Sequence, residues 1–169
     1  SAKEKYRKLI IAPFQFREKF RQLVNQEIAH QVKYGDGRII LKMNALVDEE
    51  MIRLLYTASQ EGVSIDLVVR GICCLRSGVE GLSENICVIS VVGRFLEHSR
   101  IYYFHNHGSE VIYMGSADLM PRNLDQRVEV LFPIEDEGMS RDPRDYVLAV
   151  QLRNDVKVWE MNLDGNYER

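Results

Sequence analysis

His98 and Arg100 stand two residues apart at the entrance to the run Ile101-Tyr102-Tyr103-Phe104. On an extended chain, alternate side chains point to the same face. The spacing therefore predicts an imidazole and a guanidinium projecting together. Imidazole titrates near neutral pH and can donate or accept a proton. Guanidinium is a permanent cation with paired donors for phosphoryl or carboxyl oxygens. One turn later, Tyr113-Met114-Gly115-Ser116-Ala117-Asp118 brings a Gly-Ser pair whose small size lets backbone and hydroxyl approach an anion. Converging on one spot, these groups suit phosphoryl chemistry. A lone histidine near a strand entrance is ordinarily a surface or capping residue; the company of Arg94, Arg100 and Gly115-Ser116 favours a functional one.

Further candidates follow from position. Arg70 ends an apolar strand pattern just before Gly71, and ligands of open α/β sheets collect at the carboxyl ends of strands. Arg70 is read equally as a phosphate ligand or as the partner of Asp66 or Glu97. Lys42 and Asn44 end the preceding strand, with the same argument in weaker form; a turn-capping role suits Asn44 as well. Arg122 and Asn123, after Pro121, line the same pocket, are ordinary loop residues, or pair with Asp118 and Asp125. Glu97 and Asp118 are the nearest carboxylates for orienting His98. The run Glu135-Asp136-Glu137 reads as a solvated loop, and His105 and His107 as surface residues of a turn.

Elements that would position these groups can be read from periodicity. Phe16, Phe20, Leu23, Val24 and Ile28 recur at helical spacing after Pro13, and Gly35-Asp36-Gly37 stops that helix. Residues 38–43 form a buried strand. Asp48 caps a second helix with Met51, Ile52, Leu55 and Ala58 inside and Gly62 as terminator. Residues 65–69 form the next strand, so strand, helix and strand have the lengths of a βαβ unit with a parallel pair. A long loop spans 71–85, a length usual for functional loops. Strands are predicted over 87–91, 99–104, 111–115 and 127–132, with a hairpin turn at 105–108, a helix over 142–152 and a last strand over 156–161. The class is α/β, a mixed sheet flanked by helices.

The 169 residues fit a single domain, 46% apolar and 28% charged, with a formal net charge of -3. That balance offers no global basic field for nucleic acid. No run reaches the length of a membrane span, and no secretory signal opens the chain. The start at Ser1, without an initiator methionine, reads as a domain excised from a larger protein with a short cloning remnant at its front. Cys73, Cys74 and Cys87 lack paired or zinc-ligand spacing and read as small buried hydrophobes in a reducing compartment.

His98-Ser99-Arg100 with Gly115-Ser116 resembles one half of a phospholipase D-type site, whose superfamily carries His-x-Lys, an acid after four further residues and a downstream Gly-Ser. Here Arg100 stands in the place of the lysine and His105 in that of the acid. Longer stretches resemble the carboxyl-terminal domain of polyphosphate kinases: Leu41-Lys42-Met43-Asn44-Ala45-Leu46-Val47-Asp48, the run from Ile65 through Arg70-Gly71 to Arg76, Gly93 through Phe104, and Gly115-Ser116-Ala117-Asp118 through Asp125. Arg127-Val128-Glu129-Val130 and Val158-Trp159-Glu160 also fit.

That resemblance implies a phospholipase D-like α/β fold over residues 1–169, the last domain of a longer enzyme. It implies reversible transfer of the terminal phosphoryl group of ATP to polyphosphate through a phosphohistidine on the preceding domain. By similarity His98 is the second active-site histidine, facing the phosphorylated one, and Arg70 contacts the nucleotide phosphates. Lys42, Arg100, Ser116 and Arg122 are further candidates for ATP or polyphosphate contacts. Mg2+ would be held by the preceding domain, and no metal by this one. Expected partners are ATP, polyphosphate, the preceding domains and further copies in a homo-oligomer. The expected location is the cytoplasm, with peripheral attachment at the inner membrane face as a variant. The isolated domain is expected to be inactive. Two alternatives remain open, a phospholipase D-type phosphodiesterase half-domain and a non-catalytic polyanion-binding module.

Overall fold

Alternation decides which side of each central strand is buried against helices. In the computed structural model, which describes residues 10–11, 15–92, 100–115, 118–121, 130–133 and 157–168, β2 (Arg38–Met43) and β3 (Ser64–Val69) pair in parallel, Ile39 opposite Ile65 and Met43 opposite Val69. Ile39, Leu41 and Met43 share one face with Ile65, Leu67 and Val69, all at most 2% exposed. The helices α1 (Phe16–Tyr34) and α2 (Glu49–Gln60) pack on that face. Phe16 and Phe20 of α1 meet Tyr102 edge-on, with ring centroids 5.5 and 6.2 Å away; such pairs add to the area they bury. The opposite face gathers Ile40, Val68, Ile101, Tyr103 and Ile112 into a second cluster.

β4 (Ile86–Val92) extends the parallel set. The remaining strands among the described residues are antiparallel to their neighbours: β1 (Ile10–Ile11), β5 (Arg100–Phe104), β6 (Val111–Gly115), β7 (Val130–Pro133), β8 (Lys157–Met161) and β9 (Tyr167–Glu168). The order is β1-β7-β6-β5-β2-β3-β4-β8-β9, a parallel centre with antiparallel flanks. The expected βαβ unit is β2-α2-β3, and the hairpin at 105–108 joins β5 to β6 through a single 3-10 turn, Asn106–Gly108. The edge strands β1 and β9 had no counterpart in the sequence reading, since two residues are too few to show a period. The helix expected over 142–152, Pro13 and residues 127–129 lie outside the described residues.

Both helix ends follow local chemistry. Gly35 ends α1 in the left-handed region at φ 74°, its N–H donating to the Gln31 carbonyl. Asp48 caps α2, its Oδ1 accepting from the Met51 N–H at 3.1 Å. The same carboxylate receives both terminal nitrogens of Arg17, at 3.0 and 2.8 Å. Asp48→Ala removes a cap and a cross-helix pair together. It is expected to destabilise the chain by about 1–3 kcal/mol, read as a fall in the urea midpoint at unchanged slope. Asp48→Asn keeps an acceptor for Met51 and should cost less.

One expectation needs correction. Cys73 and Cys87 are half-buried, but Cys74 is exposed. The loop after β3 is anchored through its backbone, with the Cys74 N–H donating to the Leu46 carbonyl at 2.9 Å, so the side chain need not pack. Burial pushes the Cys73 thiol up to about 11, which makes it a poor thiolate nucleophile.

Candidate functional site

The register brings four strand ends to one edge of the sheet. Arg100 opens β5 opposite Gly115, the last residue of β6. Lys42 lies opposite both Ile101 and Val68, so Asn44 and Arg70 step off β2 and β3 at the same level. Adjacent strands are about 4.8 Å apart, which puts the Arg70 and Arg100 backbones roughly 10 Å from each other across β2.

Backbone hydrogen bonds knit the loops beyond these ends. Arg70 N–H donates to Met43 O at 3.1 Å and Gly71 N–H to Asn44 O at 2.8 Å. Leu46 N–H donates to Ile72 O, and Val47 and Asp48 N–H both reach Leu119 O, each at 2.9 Å. A Cβ at position 71 would sit 2.8 Å from the Asn44 carbonyl oxygen, so only glycine allows this approach. Arg70 is thereby held on a fixed backbone at the carboxyl end of a buried strand.

Arg70 is half-buried, and among the described residues it makes no ion pair. Asp66, its expected alternative partner, lies 3.7 Å from the Arg38 guanidinium instead. Glu97, the other alternative, lies outside the described residues. Lys42 shares the Ile40 and Val68 face and is only 7% exposed, so it offers little surface to a ligand. The backbone of Asn44, rather than its side chain, does the structural work at this edge.

Arg100 is gripped by Asp118. Its Nε donates to Oδ1 at 2.9 Å and a terminal nitrogen to Oδ2 at 3.0 Å, both side chains being about nine-tenths buried. Asp118 Oδ1 also accepts the Asn44 N–H at 2.8 Å. Of the two carboxylates considered for His98, Asp118 thus has both oxygens committed to Arg100 and Asn44. His98, Ser116 and Arg122 lie outside the described residues, as do Arg94, Asn123 and Asp125. The structure therefore brings Arg70, Lys42, Arg100 and Gly115 to one edge of the sheet. By alternation Arg100 shares a face with Tyr102 and Phe104, while Lys42 belongs to the other. The bidentate use of Asp118 was missed by sequence reasoning; its only signal was an acid three residues after a strand-ending glycine.

A second polar cluster lies at the opposite end of the sheet. His107 Nδ1 is 2.6 Å from Asp36, His30 Nε2 is 3.0 Å from Asn106 Oδ1, and the Tyr34 and His107 rings stack at 3.6 Å. His105 and His107 were expected as plain surface residues; His105 is half-buried and His107, 47% exposed, joins the turn to α1. No group of three His, Cys, Asp or Glu side chains among the described residues could hold one metal ion. No helix among them is long and apolar enough to cross a membrane.

Comparison with known proteins gives a consistent result. The family model for polyphosphate kinase C-terminal domain 2 matches residues 9–169. The chain is 54% identical over 164 residues to a polyphosphate kinase of Prosthecochloris aestuarii, covering 97% of this chain and 23% of that protein. It is 52% identical over 167 residues to one of Synechocystis, covering 99% and 23%. The crystal structure of polyphosphate kinase from Porphyromonas gingivalis superposes with a TM-score of 0.83 at 42% identity, over 95% of this chain and 24% of that one. Nuc from Salmonella typhimurium, a phospholipase D family member, matches at a TM-score of 0.60 and 11% identity over 95% of this chain and 96% of that one, a likeness of fold alone. The chain spans about a quarter of the length of the curated polyphosphate kinases it matches. With a mixed sheet of the phospholipase D kind and a matching model over almost its whole length, the chain belongs to the polyphosphate kinase C-terminal domain 2 family.

Proposed function

We propose that this chain is the carboxyl-terminal catalytic domain of a longer polyphosphate kinase and supplies half of its active site. The observation that carries the reading is Arg70, a guanidinium without an ion pair among the described residues, fixed where the parallel strands end. An unneutralised cation on a rigid backbone suits two phosphate oxygens. Its substrates are ATP and polyphosphate. In the first half-reaction a histidine of the preceding domain attacks the terminal phosphorus of ATP; the bond from that phosphorus to the bridging oxygen breaks and ADP leaves. In the second, a terminal oxygen of polyphosphate attacks the same phosphorus, the P–N bond breaks and the histidine is regenerated. His98 faces the reacting phosphoryl group and donates or accepts a proton there. Arg70 holds the nucleotide phosphates, and Arg100, Ser116 and Arg122 line the polyanion path, with Lys42 contributing its charge from beneath.

The donor set at this edge does not fit Mg2+, because Asp118 is spent on Arg100 and Asn44. Magnesium belongs with the preceding domain in this reading, and no step here runs through it. The location proposed is the cytoplasm, where ATP is supplied, and the full-length protein is proposed to be a homo-oligomer.

The test is an activity comparison. This chain alone is expected to make no polyphosphate from ATP, whereas the full-length protein should do so. A phosphodiesterase would behave otherwise, and His98-dependent hydrolysis of a chromogenic phosphodiester by this chain would overturn the kinase reading. Polyphosphate affinity that survives loss of His98 in a full-length protein devoid of turnover would point to a binding module.

A further inference from the structure

One buried side chain joins the entrance of β5 to the end of β2, beside Arg70. Asp118 is 5% exposed and makes three hydrogen bonds, two with the Arg100 guanidinium and one with the Asn44 N–H. Arg100 is the first residue of β5, two residues after His98. Asn44 in turn accepts the Gly71 N–H, next to Arg70. The following residue, Leu119, accepts from Val47 and Asp48 and forms a parallel bridge with Leu46. We propose that Asp118 is a positioning residue that holds the entrance of β5, two residues after His98 in the sequence, in register with the loop carrying Arg70. It acts through Arg100 and Asn44 and touches neither substrate.

The physical case rests on what each bond fixes. A bidentate carboxylate sets the plane of a guanidinium as well as its location. With the Asn44 N–H on the same Oδ1, the β5 entrance cannot shift along β2 without breaking a charge-assisted pair in a poorly hydrated place. Removing one partner there would leave the other charge buried and uncompensated. A displacement of one ångström at a reacting centre costs about 10²-fold in rate, so a joint of this kind is worth having.

This inference rests on the reading above, and the experiment separates the two. In the full-length protein, Asp118→Asn keeps an acceptor for Asn44 N–H but loses the carboxylate. It is expected to lower kcat about 10- to 100-fold with little change in the KM for ATP, and to lower the urea midpoint as well, because the Arg100 charge stays buried without its carboxylate. Arg100→Gln should lose turnover similarly, and the double variant should turn over no more slowly than the worse single one, because both substitutions break the same joint. Multiplicative losses, or wild-type turnover in Asp118→Asn, would overturn the positioning role while leaving the kinase reading intact. Absence of polyphosphate synthesis in the unsubstituted full-length protein would sink the kinase reading instead. A fall in kcat at unchanged KM, measured where the variant is still folded, is the readout that mere destabilisation would not produce.

Discussion

Full-length protein carrying His98→Ala is expected to make polyphosphate about 10²–10⁴-fold more slowly than the unsubstituted protein, the range lost when a positioned acid or base is deleted. The loss should fall on kcat. ATP would still be held by Arg70 and its neighbours, so KM should move little. Replacing Arg70 by alanine should show the complementary pattern, with KM for ATP raised as well as turnover lowered, because a phosphate ligand acts on ground and transition states alike. The two residues are assigned different tasks, so their kinetic signatures need not coincide. The pH profile sharpens the comparison. An imidazole working as acid or base leaves a limb near neutrality in the profile of kcat, and that limb should vanish in His98→Ala but persist in Arg70→Ala. Unchanged turnover of the His98 variant at every pH would remove this histidine from the chemistry.

Much of this arrangement could be read from residue order because local rules and tertiary packing agree. The stripe Phe16, Phe20 and Val24 is buried as its helical spacing predicts, and Asp48 caps the helix it precedes. The parallel pairing of the strands expected over 38–43 and 65–69 followed from the length of the crossover. The glycine that follows Arg70 stands there for a steric reason, a carbonyl 2.8 Å from where its Cβ would be. What escaped the sequence depends on partners far apart in the chain. Asp118 and Arg100 are 18 residues apart and Asp118 and Asn44 are 74; no periodicity records such pairs. Arg70 was balanced between a ligand and a partner of Asp66, and only the geometry shows Asp66 beside Arg38. Cys74 is exposed for a comparable reason, since loop anchoring runs through the backbone and leaves residue type free. Glu27 falls among the buried residues of α1 although its charge marks it as a surface position.

Glu27→Ala is expected to destabilise the chain by about 2–6 kcal/mol, because it strips the acceptor from two part-buried backbone donors at about 1–3 kcal/mol each. Glu27 is 1% exposed. Its Oε2 accepts the Arg38 N–H at 3.1 Å and its Oε1 the Asn106 N–H at 2.5 Å. One carboxyl thus ties α1 to the start of β2 and to the turn between β5 and β6. In that turn Asn106 and His107 hold φ of 48° and 50°, a conformation that costs non-glycine residues free energy and persists only where neighbours enforce it. Burial raises the Glu27 pKa above its ordinary value of 4.5, outweighing the two backbone donors. The folded chain therefore keeps this proton to higher pH than the unfolded chain does. Across that interval the native state binds more protons, so the contribution of Glu27 is fully present below 4.5 and declines as pH rises through the elevated value. Glu27→Gln has the same shape and no titration. Urea unfolding of both proteins between about pH 4 and about pH 7 should show the glutamate form ahead at the acidic end, with its lead narrowing upward. His30 and His105 face Glu27 and draw its pKa down, but by less than burial raises it. A lead that widens with rising pH would mean that the charged carboxylate, held by its two N–H donors, is the form the fold prefers.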